Sequence, residues 1–190
     1  MKQQFQGYLR ADGRKGIRNT IVVAYLVECA HFVASKIVAG FDDNDVQLIG
    51  FPGCFPNEYA ARMMERLCTH PNVGGVLFVS LGCESFDKVR ASKAVSESNR
   101  PVETLVIQRS GGTAKTVATG KEWVRSALTK VAQVERAPMG VGTPVVTGLA
   151  GRRQRRKKRT AQRRKTRTAT TGFYRQILVA IGMSALYRSI

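Results

Sequence analysis

The chain has 190 residues, with 31 Lys+Arg against 13 Asp+Glu, 43% hydrophobic residues and only 7% aromatic ones, enough for one ordinary domain with an extension. Its longest apolar runs, such as Ile21–Val27, fall far short of the roughly 20 residues that a membrane-spanning helix needs. No secretory-type apolar stretch opens the chain, so a transmembrane protein is excluded and the cytoplasm is the expected compartment.

The formal charge of +18 points first to nucleic acid, but its distribution undoes that reading. Residues 1–150 hold 18 Lys+Arg and all 13 acidic residues, whereas the last 40 hold 13 Lys+Arg and no acid. From Gly151 to Arg167 the sequence GRRQRRKKRTAQRRKTR has no apolar period with which to bury a helix or strand face. A boundary falls near Gly148, separating an α/β domain (1–148) from a basic tail (149–190) without a core of its own.

In chain order, a Gly/Arg-rich loop spans Gly7–Asn19, with an Asp-Gly turn and four cations, Arg10, Arg14, Lys15 and Arg18, suited to holding carboxylates by planar contacts. Four strand–turn–helix units follow. The first strand is Ile21–Val27, with a turn through Cys29 and His31 and a helix Phe32–Ala39. The second is Val46–Phe51, then Gly53-Cys54 and a helix from about Asn57 to Leu67. The third is Val76–Leu81, then Gly82-Cys83-Glu84 and a polar helix to about Ser98. The fourth is Val102–Ile107, then Ser110-Gly111-Gly112-Thr113 and a long helix to about Val134. Near-continuous apolar strands alternating with helices predict a Rossmann-like α/β fold, a parallel sheet covered on both faces.

In such sheets ligands sit beyond the carboxyl ends of the strands, where Cys29, His31, Cys54, Cys83, Glu84 and the Gly111-Gly112-Thr113 loop all fall. Thiols, an imidazole and a carboxylate on one edge suit a divalent metal or acid/base work; equally, each Cys fills space at a strand end. His31 takes a proton or a metal, or else hydrogen-bonds a loop carbonyl. Glu84 is either an acid/base group with a pKa raised in a dry cleft, or a solvated loop acid or helix cap. Cys68, inside the second helix, reads as core, and His70 as a loop residue at the opposite edge. The Gly111-Gly112-Thr113 amides, at a helix start, favour a small carboxylate or phosphate. No Walker A loop is present, since Ala114 rather than Gly precedes Lys115.

The string GYLRADGRKGIRN (7–19), the Gly53-Cys54 turn, HPNVGGVL (70–77) and LGCE (81–84), in that order, resemble the altronate/galactarate dehydratase (UxaA) family over about residues 5–146. The resemblance implies a metal-dependent hydro-lyase, with Fe2+ or another divalent metal, that removes water from an aldonate or aldarate such as altronate or galactarate to give a 2-keto-3-deoxy acid. The family also includes a sulfolactate sulfo-lyase. On this basis Arg14, Arg18 and Asn19 with Gly111, Gly112 and Thr113 are expected to bind the substrate carboxylate, His31 or Glu84 to transfer the proton, and Cys54 and Cys83 to hold or adjoin the metal. The expected partner is a small-molecule sugar acid, with a second copy of the chain kept open and no membrane.

Two features depart from the family. The segment Phe51–Glu58 keeps Gly-Cys but lacks the rest of a His-containing loop, and after Val145-Val146 the chain enters the basic tail where members continue with a Gly-Gly-Ser-Asp-type loop. Arg152-Arg153-Gln154-Arg155-Arg156 can be encoded as CGG CGG CAG CGA CGG, which read one nucleotide later gives Gly-Gly-Ser-Asp-Gly, so a frameshifted tail on a truncated, poorly active family member is expected. The competing expectation is a nucleic-acid-binding module that grips phosphates through residues 151–167 and loses affinity steeply with salt.

Overall fold

The computed structural model describes residues 4–140; the boundary near Gly148 and the tail 149–190 lie outside the described residues. Residues 6–139 form one compact unit, and the other unit, residues 1–5 with 140–190, lies almost wholly outside the described residues. The segment Gly7–Asn19, expected as a loop, contains part of a hairpin: β1 (Gln4–Leu9) pairs antiparallel with β2 (Lys15–Gly16), Tyr8 facing Gly16. Polar and glycine positions hide this strand because it pairs in a small sheet of its own, order β2-β1-β7, whose third strand is the short segment Ala137–Gly140.

Between these lie β3 (Thr20–Tyr25), α1 (His31–Val38), β4 (Val46–Gly50), α2 (Glu58–Cys68), β5 (Val73–Ser80), α3 (Lys88–Ser96), β6 (Val102–Val106) and α4 (Thr113–Ala132), followed by β7. The second sheet is wholly parallel, in the order β4-β3-β5-β6, so the α/β, Rossmann-like expectation holds. Helices α1 and α4 pack against each other and the sheet, as do α2 and α3. The central strands β3 and β5 are buried at every residue, which is why they read as unbroken apolar runs. β5 begins at Val73, ahead of the expected Val76, because Gly74 and Gly75 read as a turn although Gly75 pairs with Ile21 of β3.

Two of the helix starts are written in the sequence. The Asn57 side chain accepts from the Ala60 N–H at 2.8 Å, and the Asp87 side chain from the Arg90 N–H at 2.9 Å, capping α2 and α3. Packing of α1 on α4 is close at Gly120: a Cβ there would lie 2.4 Å from Ile37 Cδ1, so any larger residue forces the Ile37 side chain aside. Among the described residues no helix is long and apolar enough to cross a membrane.

Candidate active site at the carboxyl edge of the sheet

In the order β4-β3-β5-β6 the chain leaves β3 toward one side and β5 toward the other, so the switch point lies between the carboxyl ends of those strands. The Leu26 N–H donates to Val79 O at 3.0 Å, holding the two strand ends in register. The loops after β4 and β5 meet across the end of β3: the Ser85 N–H donates to Cys54 O at 3.0 Å, and the Phe51 and Phe86 rings pack with centroids 6.1 Å apart. Structure therefore brings the Cys54 and Cys83–Glu84 loops together, as the strand-end argument expects.

Glu84 is the most constrained group there. Its side chain is fully buried (0% exposed) and accepts from the Ser80 hydroxyl, from the Gly82 N–H at 2.8 Å, and from Lys88 Nζ at 3.3 Å. Gly82, at φ +128°, adopts a backbone conformation that L side chains rarely take, and this turns its N–H onto the carboxylate two residues on. Burial pushes the Glu84 pKa up, but the hydrogen bonds from Ser80, Gly82 and its own N–H and the Lys88 charge outweigh it and hold the carboxyl below its ordinary value. The expectation of a raised pKa is thus corrected: the side chain is buried but surrounded by donors, which hold it as an ionised anchor.

His31 opens α1, its Nε2 3.1 Å from Ser35 Oγ and its ring edge-on to Tyr25 with centroids 5.0 Å apart. Its partner is a hydroxyl one turn on, not a loop carbonyl. Helix α4 starts at Thr113 with Gly112 as a cap that contributes no side chain. Of the three amides expected to hold an anion, Gly112 N–H already donates to Ile107 O at 3.2 Å, leaving Gly111 and Thr113 without partners among the described residues.

Cys29, Cys54 and Cys83 are exposed free thiols, and Cys68 is buried in α2, where burial pushes its thiol pKa well up. Among the described residues no three His, Cys, Asp or Glu side chains form a group that could hold a metal. Residues 1–3 and 141–190 contain none of these residue types. The side chains present therefore do not fit the divalent metal that the resemblance implies, and Cys54 and Cys83 lack the further ligands a site requires.

The remaining expected residues lie at the other end of the strands. Arg14 Nη2 pairs with Asp12 at 2.6 Å and donates to Thr69 O at 2.6 Å, Arg10 Nε donates to Pro71 O at 2.6 Å, and Asn19 Nδ2 to Val131 O at 2.7 Å; Arg18 is exposed. The Ile17 and Thr20 N–H groups bind Asn72 side-chain and backbone oxygens, both at 2.9 Å. Thus the motifs 7–19 and 70–77 are tied together at the amino edge, and Arg14, Arg18 and Asn19 do not share a site with Gly111, Gly112 and Thr113. His70 lies there too, as expected; burial, with the charges of Arg14, Arg100 and Arg10, pushes its pKa down to about 4. Sequence reading missed Ser80 and Lys88, which stand four residues either side of Glu84, a spacing that only matters once Glu84 is known to turn inward.

The family model described as D-galactarate dehydratase/Altronate hydrolase, second domain, matches residues 7–132. Among curated proteins, the chain is similar to the altronate dehydratase of Bacillus subtilis (strain 168), 30% identical over 108 residues, covering 50% of this chain and 22% of that protein. It is also similar to the altronate dehydratase of Escherichia coli (strain K12), 29% identical over 96 residues, covering 44% of this chain and 19% of that protein. The match spans about a fifth of the length of these relatives.

Proposed function

The chain belongs to the D-galactarate dehydratase/altronate hydrolase second-domain family, and from that premise we propose that it is a sugar-acid dehydratase domain whose switch-point cleft binds an aldonate or aldarate. The observation that carries this reading is Glu84, a buried ionised carboxylate braced by Ser80, Gly82 and Lys88 at the carboxyl edge, inside the matched segment.

The reaction needs a base to take the proton from the carbon next to the substrate carboxylate, and a proton for the β-hydroxyl, which leaves as water. The resulting enol then ketonises, so one substrate gives one 2-keto-3-deoxy acid and one water. Of the two expected proton carriers, His31 is assigned the transfer, because an imidazole can both take up and give up a proton and the Glu84 side chain is fully buried. Glu84, ionised with its side chain fully buried, is a positioning residue that holds the part-exposed Lys88 ammonium. The free Gly111 and Thr113 amides at the start of α4 suit the substrate carboxylate. No step is assigned to a metal, whose ligands this chain does not assemble.

Titrating galactarate and altronate into isotopically labelled chain, with amide shifts followed by NMR, tests the reading. Shifts centred on Gly82–Glu84, Gly111 and Thr113 and on the His31 ring are expected. An unperturbed carboxyl edge at saturating sugar acid would remove it.

A further inference from the structure

At the opposite edge of the sheet lies a cavity of about 260 Å³, walled by Leu9, Arg10, Asn19, Arg100, Lys130 and Val131 among others, with no acidic residue in its lining. Arg100 precedes β6 and is only 6% exposed. Its Nη1 donates to Ser98 Oγ at 3.1 Å, but Nε and Nη2 are buried without a partner among the described residues. Asp12, whose charge reaches Arg100, is already paired with Arg14 at 2.6 Å. Burial, reinforced by Arg10 and Arg14, pushes the Arg100 pKa down to about 10. The guanidinium is thus charged, buried and without a counter-ion in contact, a combination that proteins rarely leave uncompensated.

The second wall is complementary. Asn19 donates through Nδ2 to Val131 O, while its Oδ1 is buried with no partner. Arg100 and Asn19 both line the cavity and between them carry two unpartnered N–H donors with a positive charge and one unpartnered acceptor, all three atoms buried. Arg10 and Lys130 add positive charge to the lining. Water would satisfy the hydrogen bonds but supply no charge.

We propose that this amino-edge cavity is an oxyanion-binding site, in which Arg100 takes a carboxylate or phosphate through Nε and Nη2 and Asn19 Oδ1 accepts a hydrogen bond from the same ligand's hydroxyl. The planar guanidinium matches either anion with two parallel hydrogen bonds, reached as it turns about its terminal bonds. A hydroxy acid or a hydrogen phosphate meets both demands. The site is separate from the carboxyl-edge cleft, so its failure leaves the dehydratase reading standing, and the converse also holds.

The test is calorimetry on the full 190-residue chain, with inorganic phosphate and galactarate in separate arms at ionic strength matched with chloride. One saturable equivalent per chain is expected in at least one arm, and the arm that responds identifies the anion class. Arg100→Met should weaken binding tenfold or more. Ser98→Asp places a carboxylate against Arg100 Nη1; it should raise Tm without ligand and weaken anion binding to the same degree, and it decides the matter should Arg100→Met not fold. No saturable site in either arm overturns the proposal. So does binding that survives undiminished in Ser98→Asp, since that assigns the anion to other cations, such as those of residues 152–167.

Discussion

Replacing Glu84 by alanine is expected to destabilise the domain by about 2–4 kcal/mol, a figure built from the orphaned Ser80 hydroxyl and the lost buried CH₂. Ser80 is 0% exposed, so its hydroxyl, stripped of the carboxylate, has no water to turn to, at about 1–3 kcal/mol. The buried CH₂ lost with the side chain adds about 0.8 kcal/mol. Gly82 is exposed and the Lys88 side chain 28% exposed, so both recover water and add little. That recovery keeps the loss toward the lower end of the about 3–5 kcal/mol typical of a broken buried pair. The pH dependence has a definite sign: because the folded pKa of Glu84 lies below its ordinary value, its contribution is complete above the ordinary carboxylate range and lost as pH falls through the lower folded pKa. Urea unfolding of wild type, Ser80→Ala, Glu84→Ala and the double variant, at neutral and at acid pH, measures both effects. The double variant should cost less than the sum of the singles by about 1 kcal/mol or more. If Glu84→Ala lies within about 0.5 kcal/mol of wild type, or the cycle is additive, the carboxylate is not held as described.

His70, with its pKa near 4, should titrate by NMR far below an ordinary imidazole. The unfolded chain takes up that proton first, so stability should fall as pH drops from about 6.5 toward 4, and His70→Asn should flatten that slope. Gly120→Ala gains helix propensity of about 1 kcal/mol but drives a Cβ to 2.4 Å from Ile37 Cδ1 and 2.9 Å from its Cγ1; since the buried Ile37 side chain must shift, a net loss of about 1–2 kcal/mol is expected by thermal unfolding. Protein purified without oxygen should carry well under one iron per chain, unchanged in Cys54→Ala and Cys83→Ala. With iron added, its turnover of aldonates and aldarates should fall far below the roughly 1–10³ s⁻¹ usual for enzymes; stoichiometric iron lost on either substitution would refute this. Finally, the gene should carry an open frame one nucleotide downstream past codon 150, and its absence removes the frameshift reading of Arg152–Arg156.

The α/β class was legible because burial on both faces of a parallel sheet forces unbroken β-branched runs, as at Ile21–Val27 and Val76–Leu81, and because each such run is followed by a turn and a helix, the second helix opening near Asn57. The residues at strand ends were legible for the same reason: in this topology everything that follows a strand lands on one edge, which places His31, Cys54, Cys83, Glu84 and Gly111 together without any knowledge of side-chain contacts. The β1–β2 hairpin was not, since β1, QFQGYL, buries only Gly7 fully and β2 is two residues long, too little to leave a pattern. The separation of Arg14, Arg18 and Asn19 from the Gly111 loop follows from the same topology, since one segment precedes a strand and the other follows one, but the anion-binding chemistry that both carry masked it. Protonation was the furthest from sequence. Whether Glu84 is an acid or an anchor depends on whether burial or donors dominate around it, and the Ser80, Gly82 and Lys88 donors converge only when β5 ends and the chain turns back on itself. In the same way the unpaired Arg100 is one more surface-type cation in the sequence, and becomes a buried charge only where the turn before β6, the end of α4 and the segment after β1 close around it.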